Sequence, residues 1–213
     1  MESFIVLAKA SNINLLTLEQ LQYEGNSCSS CQNLQGYKPS RRLGTNKKAP
    51  LMIIVEPSGR SQEHLIDPFY GESGDLLIKM IDSMKVGWEH IYLCMAHKCF
   101  GKGPKDTILE TKPYLERQIE LVAPKIILIF GGAGLKILLD EESVVKNRGK
   151  WLSYKKIPLM VTYPAAYLQV KESAKKEVWE DLKNVVRKLK ATSNNHENRE
   201  IILKCPNCHQ KNF

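Results

Sequence analysis

The sequence predicts an α/β fold: a parallel sheet covered by helices on both faces. Two apolar runs carry this reading. Leu51-Met-Ile-Ile-Val55 is followed by Glu56, Pro57, Ser58 and Gly59, so a buried strand ends in a tight turn. Lys125-Ile-Ile-Leu-Ile-Phe130 is followed by Gly131-Gly132, which reads as a central parallel strand and its punctuation. Segments with helical spacing alternate with the strands, and that alternation argues for βαβ units.

The elements follow in order. Residues 17–23 read as a short helix, with Thr17 as N-cap and Gln20 in the capping-box position. Residues 28–49 are loop-like, rich in Ser, Gly, Asn and basic side chains. The first strand spans 52–55, a helix 74–84 and a short strand 91–94. An amphipathic helix covers 107–122, the second long apolar strand 125–130 and a helix 133–139. A strand at 159–162 and a long helix at 172–189 complete the pattern. Residues 1–190 are read as one domain, 191–200 as a polar linker, and 201–213 as a C-terminal appendage carrying a Cys-x-x-Cys pair.

Composition sets the bounds. A chain of 213 residues with 43% hydrophobic side chains can bury one sizeable α/β core. No apolar run approaches the ~18–20 residues of a membrane span. Residues 1–16 contain Phe4-Ile-Val-Leu7 but no basic start and no full apolar core, so no secretory signal is read. A cytoplasmic monomer without a membrane partner is expected. The net charge is +8, which favours a polyanionic partner, nucleic acid first, over a merely basic soluble protein. Lys38, Arg41, Arg42, Lys47 and Lys48 crowd one loop, and Lys171, Lys175, Lys176, Arg187, Lys188 and Lys190 load the last helix. Of six cysteines, Cys28 with Cys31 and Cys205 with Cys208 form two Cys-x-x-Cys pairs, which in a cytosolic chain point to metal rather than disulfides.

In open α/β sheets ligands gather at the carboxyl ends of strands, and Glu56 stands at such an end. Acids there also serve simply as caps or turn acceptors.

Several segments line up in order: Cys28-Ser-Ser-Cys31, the basic loop, residues 51–59, Asp67-Pro-Phe-Tyr-Gly71, residues 92–99, Lys112-Pro-Tyr-Leu-Glu-Arg-Gln118, Arg148-Gly-Lys-Trp151 and residues 157–168. Over residues 18–189 the chain resembles the family 4 uracil-DNA glycosylases, the iron–sulfur branch of the uracil-DNA glycosylase superfamily. The resemblance implies a three-layer α/β/α sandwich with a central four-stranded, mostly parallel sheet, and DNA as partner. It also implies one base flipped into a pocket at the strand ends.

The chain departs from that pattern where chemistry is expected. The first motif reads Val55-Glu-Pro-Ser-Gly59, so Glu56 is either the family glutamate or the residue that positions water in other branches. Both registers place a carboxylate near the sugar, where it helps an oxocarbenium-like transition state. Glu63, beside His64, is the alternative water-activating acid, or a solvated side chain. Phe69 matches the aromatic that stacks on the flipped base, a contact worth ~1–3 kcal/mol, and ordinary core packing is its other reading. The asparagine that reads uracil is replaced by Met95, which has no paired donor and acceptor, and His97 is a candidate substitute. The motif histidine is replaced by Tyr163, a phenol that can donate one hydrogen bond to a base oxygen. Tyr167 and Leu168 match residues of the DNA-side loop, placed to fill the gap left in the duplex. Arg41, Arg42 and Lys98 are expected to grip phosphates.

The resemblance assigns Cys28, Cys31 and Cys99 to a 4Fe-4S cluster whose fourth position is Thr111 here. Cys94, Cys205 or Cys208 would then complete it. A zinc site on Cys28, Cys31, Cys205 and Cys208 is the alternative. Three functions are compatible: a glycosylase acting on a modified pyrimidine, in repair or anti-phage defence; a conventional uracil-DNA glycosylase; and an inactive DNA- or partner-binding module.

Replacing Arg41 and Arg42 together with Ala is expected to weaken binding to any DNA sequence and to lower the slope of log affinity against log salt by about 2. Titrations across a range of salt measure that slope; an unchanged slope would take the loop out of the interface.

Overall fold

The computed structural model describes residues 13, 15–21, 46–56, 69, 71–96 and 112–192. Five strands form one sheet: β1 (Leu51–Val55), β2 (Ile91–Met95), β3 (Ile126–Phe130), β4 (Trp151–Tyr154) and β5 (Ile157–Thr162). Their order is β2-β1-β3-β5-β4, parallel except for the β4–β5 pair. The helices are α1 (Gly71–Ser83), α2 (Lys112–Val122), α3 (Ala133–Leu139), α4 (Val144–Asn147), α5 (Ala165–Val170) and α6 (Lys175–Thr192).

Strand alternation sorts the core into two layers. Leu51, Ile53 and Val55 of β1 and Leu128 and Phe130 of β3 pack with α1, α5 and α6 on one face. Met52, Ile54, Ile127 and Ile129 pack with α2 and α3 on the other. The β1–β3 strands have no exposed residue, which is why they read as continuous apolar runs. At the start of the short helix the capping box forms: Gln20 Oε1 accepts from Thr17 N–H at 2.8 Å, and Thr17 Oγ1 accepts from Gln20 N–H at 3.3 Å.

The sheet has five strands where the resemblance implied four. The addition, β4, is a short edge strand joined to β5 by the two-residue turn Lys155-Lys156. Both turn residues have positive φ, 46° and 71°, as a tight type I′ hairpin requires. Trp151 and Ser153 face solvent, so this strand lacks the apolar run that announced the others. The last helix begins at Lys175, after a 3-10 turn at Glu172–Ala174, and continues to Thr192, past the expected domain boundary at 190.

Leu128 is fully buried at the centre of β3. Leu128→Ala is expected to cost ~2–5 kcal/mol. Urea unfolding should show this as a lower midpoint with an unchanged m-value.

Candidate active site

The parallel register brings the catalytic candidates level. Val55 pairs with Met95 on one side and Phe130 on the other, and Phe130 pairs with Thr162. The ends of β2, β1, β3 and β5 therefore lie side by side, spanning ~14 Å at the usual strand spacing. α1, the first described helix after β1, packs on one face, while α3, after β3, packs on the other. A crevice opens between two strands whose connections diverge in this way. Glu56 is the residue that follows β1 at this edge.

Glu56 is half-buried and anchored. Its Oε2 accepts a 2.9 Å hydrogen bond from Ala133 N–H, and the Gly132 N–H also bonds to the carboxylate. These amides open α3, where the first N–H groups of a helix have no partner inside it. Burial raises the Glu56 pKa above its ordinary value of 4.5, and the two backbone N–H groups oppose that rise. Gly131 makes the approach possible. Its φ is +99°, and a Cβ at that position would run into the Glu56 carboxyl group.

Gly131 N–H also donates to Thr162 O at 3.0 Å, tying the end of β3 to the end of β5. The next residue is Tyr163, 7% exposed. Its ring stacks on Tyr167, with centroids 4.4 Å apart and planes at 30°. The Arg148 guanidinium lies 5.5 Å from the Tyr163 ring centroid. Arg148 is held in turn by Asp181, whose Oδ2 accepts from Nε at 3.1 Å and whose Oδ1 accepts from an Nη at 2.8 Å. It also pairs with Glu177 Oε2 at 2.9 Å. Asp181 is 1% exposed and accepts from the Thr162 hydroxyl at 2.7 Å. Burial raises the Asp181 pKa; the Thr162 hydroxyl and Arg148 pull it back.

The other candidates fall differently. Met95 is 3% exposed and packs in the α1–α6 layer, so an apolar side chain closes the end of β2. Phe69 is half-buried against the same layer and meets Trp88, from the turn before β2, at 6.2 Å and 71°. Leu168 needs a correction. As part of the DNA-side loop it was expected to enter the duplex, but it is 2% exposed and faces the core from α5. The reason is helical spacing: Ala165 and Leu168 are three residues apart on the inner side of α5. The exposed apolar residue of that segment is Val170, 89% exposed.

Glu63, His97, Arg41, Arg42, Lys98, Cys28, Cys31, Cys99, Cys205 and Cys208 lie outside the described residues. Among the described residues no group of three or more His, Cys, Asp or Glu side chains is placed to hold a metal. Cys94 packs in the α2–α3 layer at 2% exposure, the place of a core residue. Among the described residues no helix is long and apolar enough to cross a membrane.

Arg148 and Asp181 were missed as site residues, although signals existed. Arg148 opens one of the segments that carries the resemblance. Asp181 interrupts the apolar stripe Val178, Leu182, Val185 and Leu189 of α6, and an acid at a core position needs a partner.

Comparison with known proteins agrees with this geometry. The family model described as the uracil DNA glycosylase superfamily matches residues 43–183. A type-4 uracil-DNA glycosylase of Sulfurisphaera tokodaii is 29% identical over 185 residues, covering 79% of this chain and 83% of that protein. Another from Saccharolobus solfataricus is 29% identical over 182 residues, covering 79% and 84%. A third, from Archaeoglobus fulgidus, is 27% identical over 183 residues, covering 79% and 92%. The family match covers more than half of the chain, its strand ends converge on one anchored carboxylate, and the chain belongs to the uracil DNA glycosylase superfamily.

Proposed function

We propose that this protein is a DNA glycosylase that flips a base out of the helix and hydrolyses its N-glycosidic bond, leaving an abasic site. Its target is a modified pyrimidine rather than plain uracil, in repair or in anti-phage defence. The carrying observation is the pairing of an anchored carboxylate, Glu56, with a buried Met95 at the neighbouring strand end. The machinery for stabilising the sugar is retained, while the side chain at the uracil-reading position has no amide to offer.

In this reaction the bond from the sugar C1′ to the base nitrogen breaks and its electron pair leaves with the base. Water oxygen bonds to C1′, one water proton is released, and the base anion takes up a proton. Positive charge builds on the sugar, and negative charge on the base. Glu56 faces the first and is already fixed by backbone donors, so little reorganisation is needed during reaction. Tyr163 donates to a base oxygen and so faces the second. A pyrimidine carrying an electron-withdrawing substituent leaves more readily, which lessens the demand on a neutral phenol. Arg41, Arg42 and Lys98 hold phosphates, and Tyr167 fills the space of the flipped base. Cys28, Cys31 and Cys99 with one further ligand would hold a 4Fe-4S cluster, or Cys28, Cys31, Cys205 and Cys208 would hold zinc, and either group would cross-link the segments that carry them.

The relatives' names favour a second reading, a conventional uracil-DNA glycosylase. Base release decides between them. The protein is incubated with DNA carrying uracil and with DNA from a phage containing modified pyrimidines, and freed bases are identified by mass spectrometry. Release of the modified base at the higher rate is expected. Faster release of uracil would establish the conventional enzyme, and tight binding without any release would leave a binding module.

Glu56→Gln is expected to lower the single-turnover rate by ~10²–10³-fold. Full activity in that variant would transfer the role to Glu63.

The ionised form of Glu56 does the work, and burial favours the neutral form. Activity should therefore fall with decreasing pH through a midpoint above 4.5, and Glu56→Gln should lose that limb. Stability moves the opposite way. A carboxyl group whose folded pKa is raised is better tolerated once protonated, so Glu56→Gln should be at least as stable as the parent at pH 7. Thermal unfolding at pH 5 and pH 7 checks the sign.

A further inference from the structure

We propose that Arg148 is a positioning residue for base departure: clamped by Asp181 and Glu177, it fixes the Tyr163 ring and sets a positive charge beside it. This rests on the assignment of Tyr163 as the donor to the leaving base. The geometry carries it in three steps.

First, Arg148 is fully engaged in one direction. Its Nε and one Nη bond to Asp181 at 3.1 and 2.8 Å, and its remaining contacts go to the Glu177 carboxylate and the Glu177 carbonyl, at 2.9 and 3.1 Å. A guanidinium bonded through both edges has little rotational freedom, whereas a lysine ammonium in its place would have one point of attachment. Second, the clamp is joined to the catalytic edge. Asp181 also accepts from Thr162, the residue before Tyr163, and Thr162 O accepts from Gly131 N–H, beside Glu56. Gly149, next to Arg148, has φ +71°, and a Cβ there would stand 2.9 Å from Asp181 Oδ1, so the turn is shaped to the clamp. Third, what the clamp presents to Tyr163 is a cation, 5.5 Å from the ring centroid. A positive charge beside a phenol ring makes its hydroxyl a stronger hydrogen-bond donor. A phenol stands where the family histidine stood, and any help from Arg148 acts at contact distance, through the ring held beside the guanidinium.

Leaving-group dependence separates this role from a purely structural one. Single-turnover release of uracil and 5-fluorouracil from otherwise identical oligonucleotides is measured for the parent, Arg148→Lys, Arg148→Gln, Tyr163→Phe and the double variant Arg148→Gln/Tyr163→Phe. Fluorine stabilises the departing anion, so loss of assistance to departure should hurt uracil more than 5-fluorouracil. The expected result is an uracil rate lowered ~10–100-fold by Arg148→Gln, a smaller loss on 5-fluorouracil, and a double variant no worse than Tyr163→Phe alone. Arg148→Lys guards against misfolding, since it keeps a cation for Asp181 while losing the clamped fork. It should melt near the parent and still show the selective loss. Equal losses on both bases in the folded variants, or multiplicative losses in the double variant, would overturn the inference while leaving the glycosylase assignment intact. A parent that releases neither of these bases nor a modified pyrimidine from the phage DNA would overturn both.

Discussion

Everything at the candidate site depends on α1 and α3 packing on opposite faces of the sheet. The first N–H groups of α3 have no partner inside the helix, and the acid that follows β1 meets them. With α3 on the face opposite α1, the Glu56 carboxylate sits against those groups. The constraint then propagates. Gly131 must lack a side chain because the carboxyl group fills its place, and it must adopt φ +99° so that its own N–H reaches back to Thr162. The acid, the glycine and the end of β5 form one mechanical unit, so Tyr163 takes its position from the same arrangement.

A second constraint is the buried carboxylate of Asp181. An acid at 1% exposure without a partner would cost several kcal/mol. Thr162, Arg148 and the chain turn at Gly149 meet that demand together. Their shared dependence joins α6, β5 and the segment before β4, which are distant in sequence. Such an ion pair adds little net stability over a well-packed apolar core. Its contribution is to specify one arrangement of three elements beside the active edge.

The central strands were legible in the sequence because β1, β2 and β3 are covered on both faces, and two-sided burial writes itself as uninterrupted apolar runs. β4 was not legible, since an edge strand with Trp151 and Ser153 in solvent alternates over too few residues. Glu56 was legible as an acid at a strand end, but its partners were not: Ala133 and Gly132 contribute backbone N–H groups, which any residue type would supply. α5 shows the converse failure. Family motif order placed Tyr167 and Leu168 together on a DNA-side loop, whereas helical geometry separates them, turning Leu168 to the core and leaving Val170 outside. Arg148 escaped because its role lies in a contact with Asp181, 33 residues away.

The charge balance around Tyr163 limits how its neighbours can act. Arg148 brings one positive charge, and Asp181 and Glu177 two carboxylates, so the cluster exerts no net positive field at long range. Any help it gives to a departing anion must act at contact distance, through a ring held against the guanidinium. Contacts of this kind, 20% exposed on the arginine side and 2% on the aspartate side, are poorly reached by salt. Association with DNA obeys the opposite rule, because surface cations that displace counterions are sensitive to ionic strength. The two electrostatic systems of this basic chain are therefore separable: raising salt should weaken association with DNA while leaving the Arg148–Asp181 contact almost untouched.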